Sequence, residues 1–318
     1  MSAMIVSLPT LCRIGGACLL ILLWSAGLPD TSEAQRLPDR HFITNPFWDA
    51  RTSVEPDASQ LVNSYGGWAA FGPYLTGDSD HAWHHEIGGF VELWRSHRTS
   101  LLVTTQIEFI ADPNNEINFN PRAVLWEEGI VLTRRQNTFD WQVGYYHRCK
   151  HDIDNLAIGE QRASIFGSLR GRLILPARSD ETDDYLALET NFYTIRQDAR
   201  LPRVLESEGR NWNQLLASVG AQGFTRIGLP AATTDLYAQV RGRLSVLSAN
   251  EGFFNRLSAV DQLRGSFGTA IGVSVRGRAE MRLGLEYEYS HDTGIPAVPT
   301  DAHLLRVVLR AHPLDLVR

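Results

Sequence analysis

The chain has 318 residues, of which 43% are hydrophobic and 21% charged, and its formal net charge is -6 at pH 7. These values exclude a bundle of membrane-spanning helices, a small disulfide scaffold and an intrinsically disordered chain, and the acidic balance argues against nucleic acid as a partner. The composition does not exclude a membrane β-barrel, because the alternation of lipid-facing and lumen-facing residues in such a barrel keeps its mean hydropathy near zero.

The first 34 residues (1–34) predict a cleaved secretory signal peptide. Arg13 precedes an apolar stretch from Ile14 to Leu28, and Ser32 and Ala34 have the spacing of a cleavage site. The apolar core is shorter than the roughly 20 residues of a helical span, which disfavours an N-terminal membrane anchor. Cleavage would leave Cys149 as the single cysteine, so no intrachain disulfide is expected.

Residues 35–62 contain Pro38, Pro46 and Pro56 and show no clear period. They are interpreted as an N-terminal segment that lies in the periplasm or plugs the lumen of a barrel.

From Asn63 onward the hydrophobic pattern has a period of two. In Glu86 to Trp94, for example, Ile87 and Val91 share one face while Glu86 and Glu92 share the other. This alternation is the signal of strands with one apolar and one polar face. It predicts twelve strands, at 63–75, 82–95, 99–110, 122–134, 138–148, 162–175, 183–196, 212–227, 234–248, 264–276, 279–290 and 302–311.

Short and long connections alternate between these segments. This alternation is typical of outer-membrane barrels, which have short periplasmic turns and long extracellular loops. The sequence therefore predicts an all-β fold: a closed antiparallel transmembrane β-barrel over residues 63–318, in the outer membrane of a Gram-negative bacterium. A soluble β-sandwich or barrel is the alternative, but the apolar face is too large for one small core. The chain ends without the terminal aromatic residue that such barrels usually carry.

The polar faces of the strands predict a charged lumen. An acidic wall on the second to fourth strands should face a partly basic wall, giving a transverse field that selects charged solutes. Arg–Glu pairs could instead close the lumen. The inward acids are predicted to be Glu86, Glu92, Glu108, Glu127, Glu189, Glu286 and Glu288, and the inward bases Arg170, Arg172, Arg241, Arg243, Arg276, Arg282, Arg306 and Arg310.

Histidines and carboxylates gather near the predicted outer mouth. No compact metal-binding signature occurs among them, so solvated loop side chains are the preferred interpretation, with no metal and no cofactor. The groups are His81, His84, His85 and Glu86; His147, His151, Asp152 and Asp154; and His291 and Asp292.

The segment Tyr145-Tyr146-His147-Arg148-Cys149 places His147 and Cys149 on the predicted lipid face. The element His147-x-Cys149 resembles the His-x-Ser element of outer-membrane lipid A deacylases. That resemblance implies a nucleophile at Cys149, a base at His147 and an orienting acid on the neighbouring strand, for which Glu160 is the candidate. Cys149 replaces the serine, and Lys150 stands where those enzymes have asparagine.

Three functions follow from the sequence. The first is a passive or gated, porin-like channel, or a structural envelope barrel with a charged lumen. The second is an acyl hydrolase embedded in the barrel, similar to a lipid A deacylase or to an outer-membrane phospholipase, and acting on outer-leaflet lipids. The third is an adhesion barrel that uses the long loops. The expected partners are outer-membrane lipids, lipopolysaccharide and small polar solutes.

Overall fold

The computed structural model describes residue 43 and residues 59–76, 81–111, 121–152, 163–176, 184–198, 214–229, 233–248, 262–277, 279–291 and 301–313. These residues form twelve strands. They are β1 (Ser59–Pro73), β2 (Trp83–Ser96), β3 (Thr99–Ala111), β4 (Pro121–Arg135), β5 (Asp140–Asp152), β6 (Ala163–Pro176), β7 (Tyr185–Asp198), β8 (Gln214–Gly228), β9 (Thr234–Ser248), β10 (Gln262–Arg276), β11 (Ala279–Ser290) and β12 (Ala302–Pro313). Among the described residues, no helix is long and apolar enough to cross a membrane.

Each strand pairs antiparallel with its neighbours in sequence, and β1 pairs with β12 to close the barrel. The closing seam is short, with Ala69 opposite Ala311 and Phe71 opposite Leu309. Gly72 lies at this seam, where a Cβ atom would collide with the carbonyl group of Val307. A glycine is therefore required for the two strands to approach each other.

The predicted closed barrel of twelve strands is confirmed. Two boundaries differ from the prediction by four residues, and the others by two or fewer. β1 begins at Ser59 rather than Asn63, because residues 59–61 pair with β2 beyond a bulge between Leu61 and Ser64. β5 continues to Asp152, so Cys149 lies within a strand and not in the loop that the sequence predicted there.

The distribution of polarity is inverted relative to that of a soluble protein. Outward-facing Ile87, Ile271 and Leu283 are 61%, 59% and 55% exposed, whereas Glu92 and Glu127 inside the barrel are 0% exposed. A continuous apolar exterior around a polar interior is the arrangement expected of a barrel surrounded by hydrocarbon.

The connections differ in length between the two ends of the barrel. At one end, strands are joined through residues 97–98, 136–139, 177–184, 229–233 and 277–278. At the other end, they are joined through residues 74–82, 112–120, 153–162, 199–213, 249–261 and 291–301. The predicted alternation is thus present, with 177–184 the longest of the short set.

Candidate functional site

The interior of the barrel carries the first candidate site. All the glutamates and arginines that the alternation assigned to the lumen lie on the inward faces of their strands. Many of them form ion pairs with charges on their own strand or on a nearby one, which is the pairing that the sequence offered as an alternative to two opposed walls.

Glu127 and Glu189 organise the largest of these groups. Arg170 Nη2 lies 3.0 Å from Glu127 Oε2, and Arg148 contacts the same carboxylate. Glu189 accepts hydrogen bonds from Arg172 and from Arg243, whose Nη2 atom lies 3.2 Å from Glu189 Oε1. These contacts tie β4, β5, β6, β7 and β9 together.

Two further carboxylates act in the same way. Glu286 on β11 contacts Arg310 and lies 2.9 Å from Arg306 Nη2. Glu280 on β11 accepts from Arg282 Nε at 2.5 Å and from Arg226 Nη2 of β8 at 2.7 Å. Every contact of this kind offsets the large cost of holding a buried charge away from water.

A smaller network surrounds Glu92 toward the end of the barrel that has the short connections. Its carboxylate accepts hydrogen bonds from Asn63 Nδ2 at 2.8 Å, Ser64 Oγ at 2.6 Å and Arg95 Nε at 2.6 Å, and also from Ser100. Four hydrogen-bond donors therefore hold the Glu92 carboxylate in place, and these contacts stabilise the barrel wall.

Several lumen charges were not predicted from the sequence. Arg148 shares parity with Gln142 and Tyr146, both buried inside, so the alternation could have identified it. Arg226 and Glu280 lie near strand ends, where parity is difficult to assign from sequence.

A cavity of about 40 Å³ lies inside the barrel between β6 and β11. Its charged lining consists of Arg170, Arg172, Arg241, Arg243, Glu189 and Glu288. The side chains of Arg241 and Arg243 are 14% and 19% exposed, more than those of Arg170 and Arg172. These two guanidinium groups therefore border the open space.

The same cavity also has an apolar side. Ile43, which precedes β1, lies in its lining together with Ala187 of β7. Both residues belong to a buried apolar cluster that includes Phe224 and Tyr237. The rings of Phe224 and Tyr237 stack at 6.1 Å, and the guanidinium of Arg282 lies 4.4 Å from the Phe224 centroid.

The histidines of the predicted outer mouth occupy different environments. His84 is buried inside, where its Nε2 atom lies 3.0 Å from Glu108 Oε1, and His81 packs edge-on against Tyr74. His291 Nδ1 lies 2.7 Å from Asp301 at the rim. Within the described ranges, no group of three or more His, Cys, Asp or Glu residues could hold a metal ion. Asp154 and Asp292 lie outside the described residues.

The second candidate site is on the exterior of β4 and β5. His147 is exposed on the outward face, and Cys149, on the same face two residues further, is 8% exposed. In the pairing of β4 with β5, Cys149 stands opposite Trp126. Glu160, the acid that the resemblance implied, lies outside the described residues.

The register brings a different carboxylate to His147. Glu128 of β4 is the direct cross-strand partner of His147, and both side chains are exposed on the outer surface. Directly opposed residues of an antiparallel pair have Cβ atoms about 4.5–5.5 Å apart. Sequence reasoning missed Glu128, although the adjacent glutamates 127 and 128 must face opposite sides of a strand.

No protein-family model and no curated protein matches the chain. Solved structures are similar to it in fold. LpxR from Salmonella typhimurium has 9% identity and a TM-score of 0.43, covering 77% of this chain and 99% of that one. Outer membrane phospholipase A from Escherichia coli has 13% identity and a TM-score of 0.43, with coverage of 79% and 97%. An outer membrane channel from Pseudomonas putida F1 has 14% identity and a TM-score of 0.44, with coverage of 82% and 100%.

Proposed function

We propose that this protein is an outer-membrane β-barrel that conducts small polar solutes and prefers anions. The apolar exterior supports a membrane location, since a belt of exposed Ile, Leu, Val and Phe side chains is stable only against hydrocarbon. The predicted signal peptide supplies the export that such a location requires. Outer-leaflet lipids and lipopolysaccharide are then the molecules that surround the belt.

The lumen cavity carries the proposal. Its lining contains four arginines against two glutamates, an excess of positive charge in a space bordered by low-dielectric walls. Such a space concentrates anions and repels cations. The surrounding ion pairs hold the arginine side chains in place, so the lumen is narrow and its charge is fixed.

Planar-bilayer recording of the purified full-length chain tests this function. We expect discrete conductance steps. In a potassium chloride gradient, the reversal potential should have the sign that indicates a preference for chloride. A bilayer that stays at background conductance would contradict the channel, and a structural barrel with a closed lumen would then be the remaining interpretation. A cation-selective reversal potential would contradict the proposed role of the arginines.

A second candidate function, hydrolysis of an acyl chain from an outer-leaflet lipid, is favoured by a separate observation. Glu128 and His147 lie at the middle of their strands and face outward. Within the described strands, every other outward-facing Asp, Glu, His, Lys or Arg lies within three residues of a strand end, namely His85, Arg122, Arg134, His151 and His303. An ionisable group in the hydrocarbon region is unfavourable and is most often functional.

The chemistry of this candidate is nucleophilic catalysis. His147 takes the thiol proton of Cys149, the thiolate attacks the ester carbonyl, and the departing alcohol receives the proton. Water then hydrolyses the thioester, releasing the fatty acid and restoring the thiol. Glu128 is the positioning residue that would fix the tautomer of His147.

Release of fatty acid from outer-membrane lipid vesicles tests the hydrolase. The Cys149→Ala variant should lose the activity completely and Cys149→Ser should retain a fraction of it. Equal activity in wild type and Cys149→Ala, or none in wild type, would eliminate this candidate while leaving the channel untouched.

A further inference from the structure

The apolar belt of the barrel carries two ionisable side chains near its middle. Glu128 of β4 and His147 of β5 are direct cross-strand partners, and both are exposed on the outer surface. Each lies near the middle of its strand and far from both ends of the barrel. In a membrane, ionisable groups at this depth almost always face protein or a water-filled cavity and not lipid.

Neighbouring hydroxyl groups have partners within the barrel wall. Tyr145 Oη lies 3.0 Å from Thr194 Oγ1, which donates to the carbonyl oxygen of Gly167 at 3.2 Å. Within the described strands, Glu128 and His147 form no such hydrogen bond or ion pair with another side chain. Even a bond between the two would use one carboxyl oxygen and one ring nitrogen, and the second atom of each would still face outward. Hydrocarbon offers those atoms nothing, so a partner must come from another molecule.

A second copy of the same surface supplies that partner. An imidazole and a carboxyl group contain a donor and an acceptor between them, whichever of the two holds the proton. A two-fold axis along the membrane normal that passes between Glu128 and His147 places the glutamate of each copy opposite the histidine of the other. Two equal contacts then form, as in every isologous interface. An acyl chain has neither group, and lipid headgroups lie at the membrane surface and not at this depth.

From this self-complementary arrangement we infer that the outer face of β4 to β7 is the interface through which two copies of this chain associate in the membrane. Glu128 and His147 form its polar centre. Ile130, Leu169 and Phe192, which are 48%, 47% and 53% exposed, pack around that centre. Apolar surface gains little by leaving lipid, so the polar contacts select the surfaces that meet. The inference goes beyond the proposed channel, because each barrel keeps its own lumen.

Sedimentation equilibrium of the full chain in density-matched detergent measures this association, and the wild-type protein should be a dimer. Glu128→Leu and His147→Leu should each raise the dissociation constant about tenfold or more, since symmetry removes two polar contacts with one substitution. Leu283→Ala, at an outward residue of β11 on the opposite side of the ring from β5, is the control and should leave the dimer unchanged. The compact band on unheated gels shows that each variant is folded.

A complementary pair of variants tests the reciprocal contact itself. Glu128→His leaves two histidines at the centre of the interface, and His147→Glu leaves two glutamates. Each variant alone should be monomeric. An equal mixture of the two should form dimers, because every histidine then faces a glutamate. A folding defect cannot produce this recovery, and a mixture of folded variants that stays monomeric would contradict the pairing.

The remaining outcomes keep this inference separate from the proposed functions. A wild-type chain that is monomeric at every soluble concentration would overturn the inference, and lipid or a different protein would then cover the surface. A dimer that persists in both leucine variants would overturn it as well. Missing conductance would bear on the channel alone, and loss of fatty-acid release in Cys149→Ala, which should still dimerise, would bear on the hydrolase alone.

Discussion

Arg170 connects Glu127 on β4 to its own strand β6 across the intervening β5, with Nη2 and Oε2 3.0 Å apart. The same guanidinium lies 4.0 Å from the centroid of the Tyr146 ring on β5. One side chain thus contacts both strands that precede it. The interior of the barrel is therefore held together by side chains as well as by the backbone ladder.

Glu127→Ala should destabilise the barrel strongly. The substitution leaves Arg148 and Arg170, which are 1% and 4% exposed, without this shared carboxylate. Removing one partner of a buried ion pair typically costs about 3–5 kcal/mol. Urea-induced unfolding of vesicle-inserted protein measures the change. Glu128→Ala, one residue away on the outer face, is the control, and an equal loss in both variants would contradict the proposed role of the network.

Gly72→Val should prevent closure of the barrel. A Cβ atom at Gly72 would overlap the backbone of Val307 in β12, so β1 and β12 could not approach each other. The readout is the compact, fast-migrating band that folded barrels give on unheated gels. Gly223→Val is the control, because no atom lies within 4 Å of a Cβ placed there. A normal compact band for Gly72→Val would show that the seam adapts.

Leu283→Lys tests the membrane-facing surface. Leu283 is 55% exposed in the middle of β11, and a lysine there should cost about 2–4 kcal/mol if hydrocarbon surrounds it. Leu229→Lys, just beyond the end of β8, should cost less than about 1 kcal/mol because interfacial positions tolerate charge. Refolding free energies in lipid vesicles give both values. Similar costs at the two depths would argue against a membrane-spanning belt.

Arg241→Glu should weaken or reverse anion selectivity. The change moves the formal charge of the cavity lining from positive to neutral and places a carboxylate beside Glu288. We expect the reversal potential in a salt gradient to shift toward that of potassium. Arg134→Glu on the outward face of β4 is the control and should leave the potential unchanged. An unaltered potential in Arg241→Glu would place the selectivity elsewhere in the barrel.

The strands and their faces could be predicted because a period of two reports directly on which side of a sheet a residue occupies. The outward position of Val91 and the inward position of Glu92, for example, follow from parity alone. The bulge between Glu92 and Trp94 does not, since an extra residue shifts the register without leaving a mark in the hydrophobic pattern.

The sequence could not predict which side chains form ion pairs with each other, and the reason is a different one. Parity places Glu127 inside, but the choice of Arg148 and Arg170 as its partners depends on the register between strands and on side-chain length. The exterior site shows the same limit. The sequence pointed to Glu160 on one neighbour of β5, whereas the register places Glu128 of the other neighbour opposite His147.

The lateral ion pairs also bear on how the barrel assembles. Glu280 on β11 forms ion pairs with an arginine of β8 and with one of its own strand, and Glu189 on β7 forms one with an arginine of β9. A partly inserted sheet that lacks these partners would carry uncompensated charges into the bilayer. Intermediates with a few strands are therefore penalised, and we expect insertion to be cooperative, with the charges buried only when the ring is complete.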